Sequence, residues 1–190
     1  YLIDILAHLM IGSEGTLGFI SSITYNTVIE HKYRASSIVF FPDMRTTCSA
    51  VSALADANVS AVELMDRRSL ASVSDMQGLP EFIKTLGKDV GALLIETRAA
   101  NQQLLTEQIA DLENLLSDFQ QTNVIKFTDV ASEYSQLWAI RKGTFPAVGA
   151  VRETGTTVII EDVAFPVEQL ADAVAKLQGL FEKYHYDEAR

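Results

Sequence analysis

Two stretches of this sequence carry residue types that could do chemistry. The first is Ile11-Gly12-Ser13-Glu14-Gly15-Thr16-Leu17-Gly18-Phe19, with three glycines in seven residues. Glycine permits left-handed backbone and lets the main chain approach a ligand closely. Exposed N–H groups in such a turn can hold a phosphate or the polar edge of a cofactor ring. The same residues would equally make a tight turn before a strand. The word is neither a P-loop, since no Gly-Lys-Ser/Thr follows, nor a G-x-G-x-x-G fingerprint. The second stretch is Leu137-Trp138-Ala139-Ile140-Arg141-Lys142, followed by Glu161-Asp162-Val163-Ala164-Phe165-Pro166. The planar fork of Arg141 can grip a carboxylate through two parallel hydrogen bonds. The competing reading is a helix-surface arginine paired with Glu133 or Asp162, since structural ion pairs are common. Glu161 and Asp162 could hold a protonated histidine, or simply end a strand at the surface.

Other chemistries are poorly supplied. His8, His31 and His185 lie far apart and show no metal-ligand spacing, so no metal ligand is assigned in this chain. The single cysteine, Cys48, excludes an internal disulfide and a thiolate-built metal site, and reads as a small buried residue. No Ser/His/Asp arrangement is readable. A net charge of −10, with no basic run longer than Arg67-Arg68, argues against nucleic acid and against an anionic membrane surface as partner. No apolar run approaches the ~20 residues of a membrane-spanning helix. With 48% hydrophobic and 21% charged residues the chain has the balance of a globular domain, not a disordered one. Both ends read as internal boundaries, because Tyr1 starts without an initiator Met or a basic signal-peptide region and Arg190 ends without a cap or tail.

The elements that must position these residues follow from periodicity. An apolar, helix-like start leads into the Gly12–Gly18 turn. Residues 19–30 interleave Ile20, Tyr25 and Val28 with Ser and Thr, which predicts a strand. Strands are also expected over 36–41, 59–65, 90–97, 123–128 and 156–163. Helices are expected over 44–58, where Val51, Leu54 and Ala55 share a face, over 66–76, and over 101–120, where Leu105, Ile109, Leu112 and Leu116 form an apolar stripe. A further helix over 132–148 has Ser132 as N-cap and Pro146 near its end, where it would kink or stop it. The last helix covers 167–183.

Strands and helices alternate with several short connections. Two strand–helix–strand halves sharing one sheet give an α+β fold, a ferredoxin-like antiparallel sheet with helices packed on one face. A doubly wound parallel sheet is the weaker alternative, because no phosphate-binding glycines follow its first strand. The polar stretch Glu30–Ala35 reads as a linker, dividing the chain into residues 1–34 and 35–190.

Taken as words, these stretches resemble a known family. His8-Leu9-Met10-Ile11-Gly12-Ser13-Glu14-Gly15-Thr16-Leu17-Gly18-Phe19-Ile20 is similar to the end of the FAD-binding domain in the vanillyl-alcohol-oxidase-type flavoproteins. The words Trp138-x-x-Arg141-Lys142 and Glu161-Asp162-Val163-x-x-Pro166 resemble the C-terminal, substrate-side domain of FAD-linked oxidases, as does Glu63-x-x-Asp66. That group includes D-lactate, glycolate and D-2-hydroxyglutarate dehydrogenases, and large bacterial proteins that add an iron–sulfur domain resemble this chain most. The resemblance spans Leu9 to Pro166. It implies that residues 1–34 are the tail of an FAD-binding domain and that 35–190 are a truncated substrate-side domain. It implies FAD contacts at Gly12, Ser13, Glu14, Gly15, Gly18 and Phe19, and substrate-carboxylate binding by Arg141, with Glu63 structural or flavin-proximal.

The implied activity is oxidation of a D-2-hydroxy acid by hydride transfer to FAD in the parent protein, the fragment alone being inactive. The implied partners are the small hydroxy acid, the rest of the polypeptide with its FAD domain, and a respiratory electron acceptor; a homo-oligomeric parent is compatible with the resemblance. An iron–sulfur cluster, a divalent metal and a proton-accepting histidine would belong to parts outside this chain. The implied location is cytoplasmic, or peripheral to the inner membrane. Two positions depart from the family pattern: Phe145 and Ile160 stand where some members carry Thr and Lys, and Thr144 is one place off, which leaves the substrate open. A reading of another class is a non-catalytic ferredoxin-like module that binds a small ligand or dimerises; the Gly12–Gly18 word is not needed in such a module.

Overall fold

The computed structural model describes the backbone of residues 1–74, 81–150, 154–155 and 163–185, and the side chains of these residues apart from 81–82 and 145–150. The chain divides into two compact units, Tyr1–Glu30 and His31–Arg190. Among the described residues, no helix is long and apolar enough to cross a membrane.

The first unit contains one helix, α1 (Leu2–Met10). It ends where Gly12 turns left-handed at φ +80, and a turn closes as Thr16 N–H donates to the Ser13 carbonyl at 2.9 Å. The strand expected over 19–30 does not form. Its Thr, Tyr and Val content favours extended backbone, but a strand needs a hydrogen-bonded neighbour, and this unit has no other strand to offer.

The second unit is built on β1 (Tyr33–Phe41), β2 (Ala61–Met65) and β3 (Gly91–Ala99), in the antiparallel order β1-β3-β2. Three of the expected strands are therefore present. The fourth, expected over 123–128, lies along the free edge of β1 but is reduced to a single bridge, Ser36 with Thr128. Asn123 explains the reduction: its side-chain oxygen accepts the Phe40 N–H at 2.8 Å and its amide donates to the Ile38 carbonyl at 3.3 Å. A side chain thus satisfies edge groups that a fourth strand would otherwise pair. The order edge segment, β1, β3, β2 is that of a ferredoxin-like sheet, so the α+β expectation holds.

Side chains alternate across the sheet with period two. On one face Val39, Phe41, Leu93 and Ile95 pack against Ala50 and Leu54 of α2 (Met44–Leu54) and Leu112 and Leu116 of α4 (Gln102–Ser117). These are the two helices expected there. The other face is not bare, unlike the expectation of helices on one face alone. Phe40, Ala92, Leu94 and Met65 pack with Leu70 of α3 (Arg67–Ser72), with Ile83 of a 3₁₀ turn at Glu81–Thr85, and with Leu137 and Trp138 of α5 (Ala131–Ala150). The physical reason is visible in β3, whose run Ala92-Leu93-Leu94-Ile95 is apolar on both faces and fully buried, so both faces must be covered.

Helix starts follow local chemistry. Asp43, Asp66 and Asn101 cap α2, α3 and α4 by accepting the N–H of Thr46, Ser69 and Leu104 at 2.7, 2.7 and 2.9 Å. For α5 the expected cap, Ser132, lies inside the helix, which begins one residue earlier. Thr128 serves the start instead, accepting the Val130 N–H at 3.3 Å and donating to the Glu133 carboxylate at 2.5 Å. The helix also runs on through Pro146 to Ala150. The strand expected over 156–163 lies outside the described residues except for Val163. The final helix is a 3₁₀ turn (Val167–Gln169) leading into α6 (Leu170–Lys183), which is tied to α2 by Ser52 Oγ donating to the Val167 carbonyl at 2.8 Å.

Candidate functional site

The site is on the sheet face that α5 covers. Ser36, Ile38 and Phe40 of β1 share this face with Glu96, Leu94 and Ala92 of β3 and with Ala61, Glu63 and Met65 of β2, as their register shows. Most of these positions are apolar, yet two carboxylates, Glu63 and Glu96, stand among them. Each is met by a side chain from α5.

Arg141 Nε donates to Glu63 Oε2 at 2.9 Å, with both side chains more than a third exposed. Of the partners considered from the sequence, Glu133 holds Thr128 instead, and Asp162 lies outside the described residues. An arginine has two edges that can clasp a carboxylate, one through Nε and one through the two terminal nitrogens. Glu63 takes the first. The terminal edge of a half-exposed guanidinium is the part that can meet an incoming anion.

Glu96 is buried, which a carboxylate tolerates only when its oxygens are paired. Oε1 accepts Arg98 Nε at 2.7 Å; Oε2 accepts the Trp138 indole N–H at 2.8 Å and the Ser36 hydroxyl at 3.1 Å. Beyond it, Arg34 and Arg98 face each other across β1 and β3. Like charges directly opposed are unfavourable; here Glu96 offsets Arg98, and Arg34 lies 4.0 Å from the centre of the Tyr134 ring. The sequence reading missed Glu96. Its signal was a lone acid inside an apolar strand, two residues before an arginine.

The remaining expected residues are placed as follows. Thr144 turns its hydroxyl back onto the Ile140 carbonyl at 3.3 Å. The Phe145 side chain, Ile160, Glu161 and Asp162 are outside the described residues. Cys48 is on the buried face of α2, and burial pushes the pKa of its thiol up to about 11. In the first unit Gly12 and Gly15 both have φ +80 and Glu14 has φ 49, so the Gly12–Gly18 word is a left-handed turn. The space that a Cβ would fill at Gly12 and Gly15 is open, while at Gly18 it would press on Met10. Among the described residues, no group of three or more His, Cys, Asp or Glu could hold a metal ion.

Comparison with known proteins decides what this scaffold is. The profile of "FAD linked oxidases, C-terminal domain" matches residues 30–189. The chain belongs to this family. As an FAD-linked oxidase C-terminal domain, it is similar to mitochondrial cytochrome-type D-lactate dehydrogenases of Kluyveromyces lactis and Arabidopsis thaliana, 27% and 29% identical over 87% and 90% of this chain. It is also similar to a D-2-hydroxyglutarate dehydrogenase of Haemophilus influenzae, 22% identical over 95% of the chain. The chain spans 29%, 29% and 19% of the length of these relatives. The FAD-linked oxidase domain thus extends over the whole sheet unit, with Arg141, Glu63 and Glu96 all inside it.

Proposed function

We propose that this domain forms the substrate-side wall of an FAD-dependent oxidoreductase acting on a D-2-hydroxy acid such as D-lactate, glycolate or D-2-hydroxyglutarate. The observation that carries the reading is Arg141: a partly exposed side chain whose guanidinium is held by Glu63 through Nε, a bond that does not engage the terminal edge, the edge a carboxylate would use. Relatives named for D-lactate and D-2-hydroxyglutarate support the substrate class.

In this reading Arg141 binds the substrate carboxylate and so fixes where C2 and its hydroxyl lie. Glu63 holds the guanidinium in one orientation before substrate arrives, which lowers the ordering cost of binding. The pair stands at the solvent edge of the apolar cluster, with Leu94 opposite Glu63 in the sheet register, so the clasp is reachable from solution while its base rests on packed side chains. The hydroxyl proton passes to a base outside the described residues as the hydride leaves C2. FAD, when bound, supplies the two-electron acceptor for that hydride.

The Gly12–Gly18 turn fits a flavin contact in one specific respect: two left-handed glycines present their backbone with the Cβ space open. We assign Gly12, Ser13, Glu14, Gly15, Gly18 and Phe19 to that role, largely through main-chain N–H groups. The rest of the FAD site, an iron–sulfur cluster, a divalent metal and a respiratory acceptor would belong to other parts of the polypeptide or to partners.

The test is steady-state turnover of D-lactate, glycolate and D-2-hydroxyglutarate by the full-length FAD-loaded protein with Arg141→Ala. Loss of a charge-assisted carboxylate contact predicts a kcat/KM reduced about 100-fold. Unchanged kinetics on all three acids would remove Arg141 from the site.

A further inference from the structure

We infer that Glu96 is a positioning residue for Arg141, acting through Trp138. The inference rests on the reading of Arg141 as the carboxylate clamp. Among the described residues, Glu96 is the one charged side chain in the buried set. Its donors come from three elements: Ser36 from β1, Arg98 from β3 and Trp138 from α5. Trp138 is the donor that crosses from helix to sheet. Its N–H lies 2.8 Å from Glu96 Oε2 and 3.2 Å from Ser36 Oγ, so the single indole hydrogen favours the carboxylate.

Trp138 precedes Arg141 by three residues, so both side chains project from the same side of α5. Their targets are also on one side. Glu96 lies across from Ala61 and Glu63 across from Leu94, which places the two carboxylates diagonally on the same sheet face. The helix is therefore pinned by two polar contacts one turn apart, Trp138 to Glu96 and Arg141 to Glu63. One contact would fix a distance. Two fix the rotation of α5 about its axis and its position along it. A substrate-orienting group must be held to within about 0.5–1 Å of its productive position, and directional hydrogen bonds set rotation where apolar packing alone permits slippage. A buried carboxylate is a costly way to hold a helix, since an apolar residue of similar size often stabilises as well. Its use here fits orientation of the helix better than stability.

The experiment is a double-mutant cycle in the full-length FAD-loaded protein, with D-lactate and D-2-hydroxyglutarate as probes. Trp138→Phe keeps an aromatic ring in the core while deleting the indole N–H together with its five-membered ring, and Glu96→Gln, which keeps the size of the side chain, separates the lost hydrogen bond from lost packing. Trp138→Phe and Glu96→Gln should each raise KM about 5–20-fold with kcat changed less, as expected of a misplaced carboxylate clamp. In an Arg141→Ala background, Trp138→Phe should have no further effect, because the residue it positions is gone. A merely structural role would give the same factor in both backgrounds and would overturn the inference, as would Trp138→Phe kinetics within twofold of the parent while Arg141→Ala is crippled. If Arg141→Ala itself leaves kcat/KM unchanged, the clamp reading fails first, and this inference falls with it.

Discussion

Arg141 on α5 and Glu63 on β2 are 78 residues apart in sequence and joined by a 2.9 Å hydrogen bond from Nε to Oε2. The bond ties the C-terminal helix of the site to the second strand of the sheet. Glu63 is thereby a strut for the guanidinium. In the FAD-loaded parent, Glu63→Gln should keep the hydrogen bond but remove the charge, and Glu63→Ala should remove both. We expect KM for D-2-hydroxy acids to move modestly in the first and several-fold more in the second, because orientation of the guanidinium and not neutralisation is the role assigned to Glu63. Equal effects from both would shift the role to charge.

The sheet is covered on both faces, and this has a direct consequence for stability. Leu93 and Leu94 are adjacent in β3, point to opposite faces and are both fully buried. Leu93→Ala and Leu94→Ala should each cost about 2–5 kcal/mol in denaturant unfolding. A bare second face would make the Leu94 substitution nearly silent.

Gly91, at the start of β3, lies against the first turn of α2. A Cβ there would meet Met44 Sδ at 2.8 Å and also crowd Thr47. Gly91→Ala is expected to destabilise the domain by about 1–3 kcal/mol, the usual range for overpacking. Restoring room with Thr47→Ala in the same chain should recover part of that loss, which thermal melts of the two variants would show.

Burial raises the Cys48 thiol to about 11. The unfolded chain ionises near pH 8.5. Below that pH the thiol is protonated in both states and adds no pH dependence. Between pH ~8.5 and about 11 the unfolded chain releases a proton that the folded chain keeps, so stability falls as pH rises, by at most about 1.4 kcal/mol per pH unit. Cys48→Ser should flatten this decline in urea melts recorded across that window. In the folded protein, alkylation of Cys48 by iodoacetamide near neutral pH should be slow, following the rate of opening.

Much of this architecture was readable in the sequence, for identifiable reasons. The strands and helices from Ser36 to Ser117 are bounded by Asp43, Asp66 and Asn101, residues whose side chains cap helices by themselves. Their periodicity is local, and so is their legibility. The segment at 19–30 had strand composition without a partner, and pairing is not a local property. At 123–128 a single side chain, Asn123, replaced backbone pairing, which no propensity reports. Arg141 was singled out by its chemistry, but its partner came from another strand, beyond any window on helix-face neighbours. Glu96 was passed over because a lone acid in an apolar run reads as a strand end until its three donors are seen converging on it.

The most direct measurement of the central claim is anaerobic reduction of the bound flavin by a D-2-hydroxy acid in the full-length protein, followed by stopped-flow absorbance. The account predicts rapid bleaching of the parent by D-lactate, glycolate or D-2-hydroxyglutarate. For Arg141→Ala with FAD still bound, it predicts that half-saturation moves up by about 100-fold in concentration or that reduction is lost. A flavin reduced equally fast, and at the same half-saturating concentration, in parent and variant would contradict it, as would a parent that none of the three acids reduces.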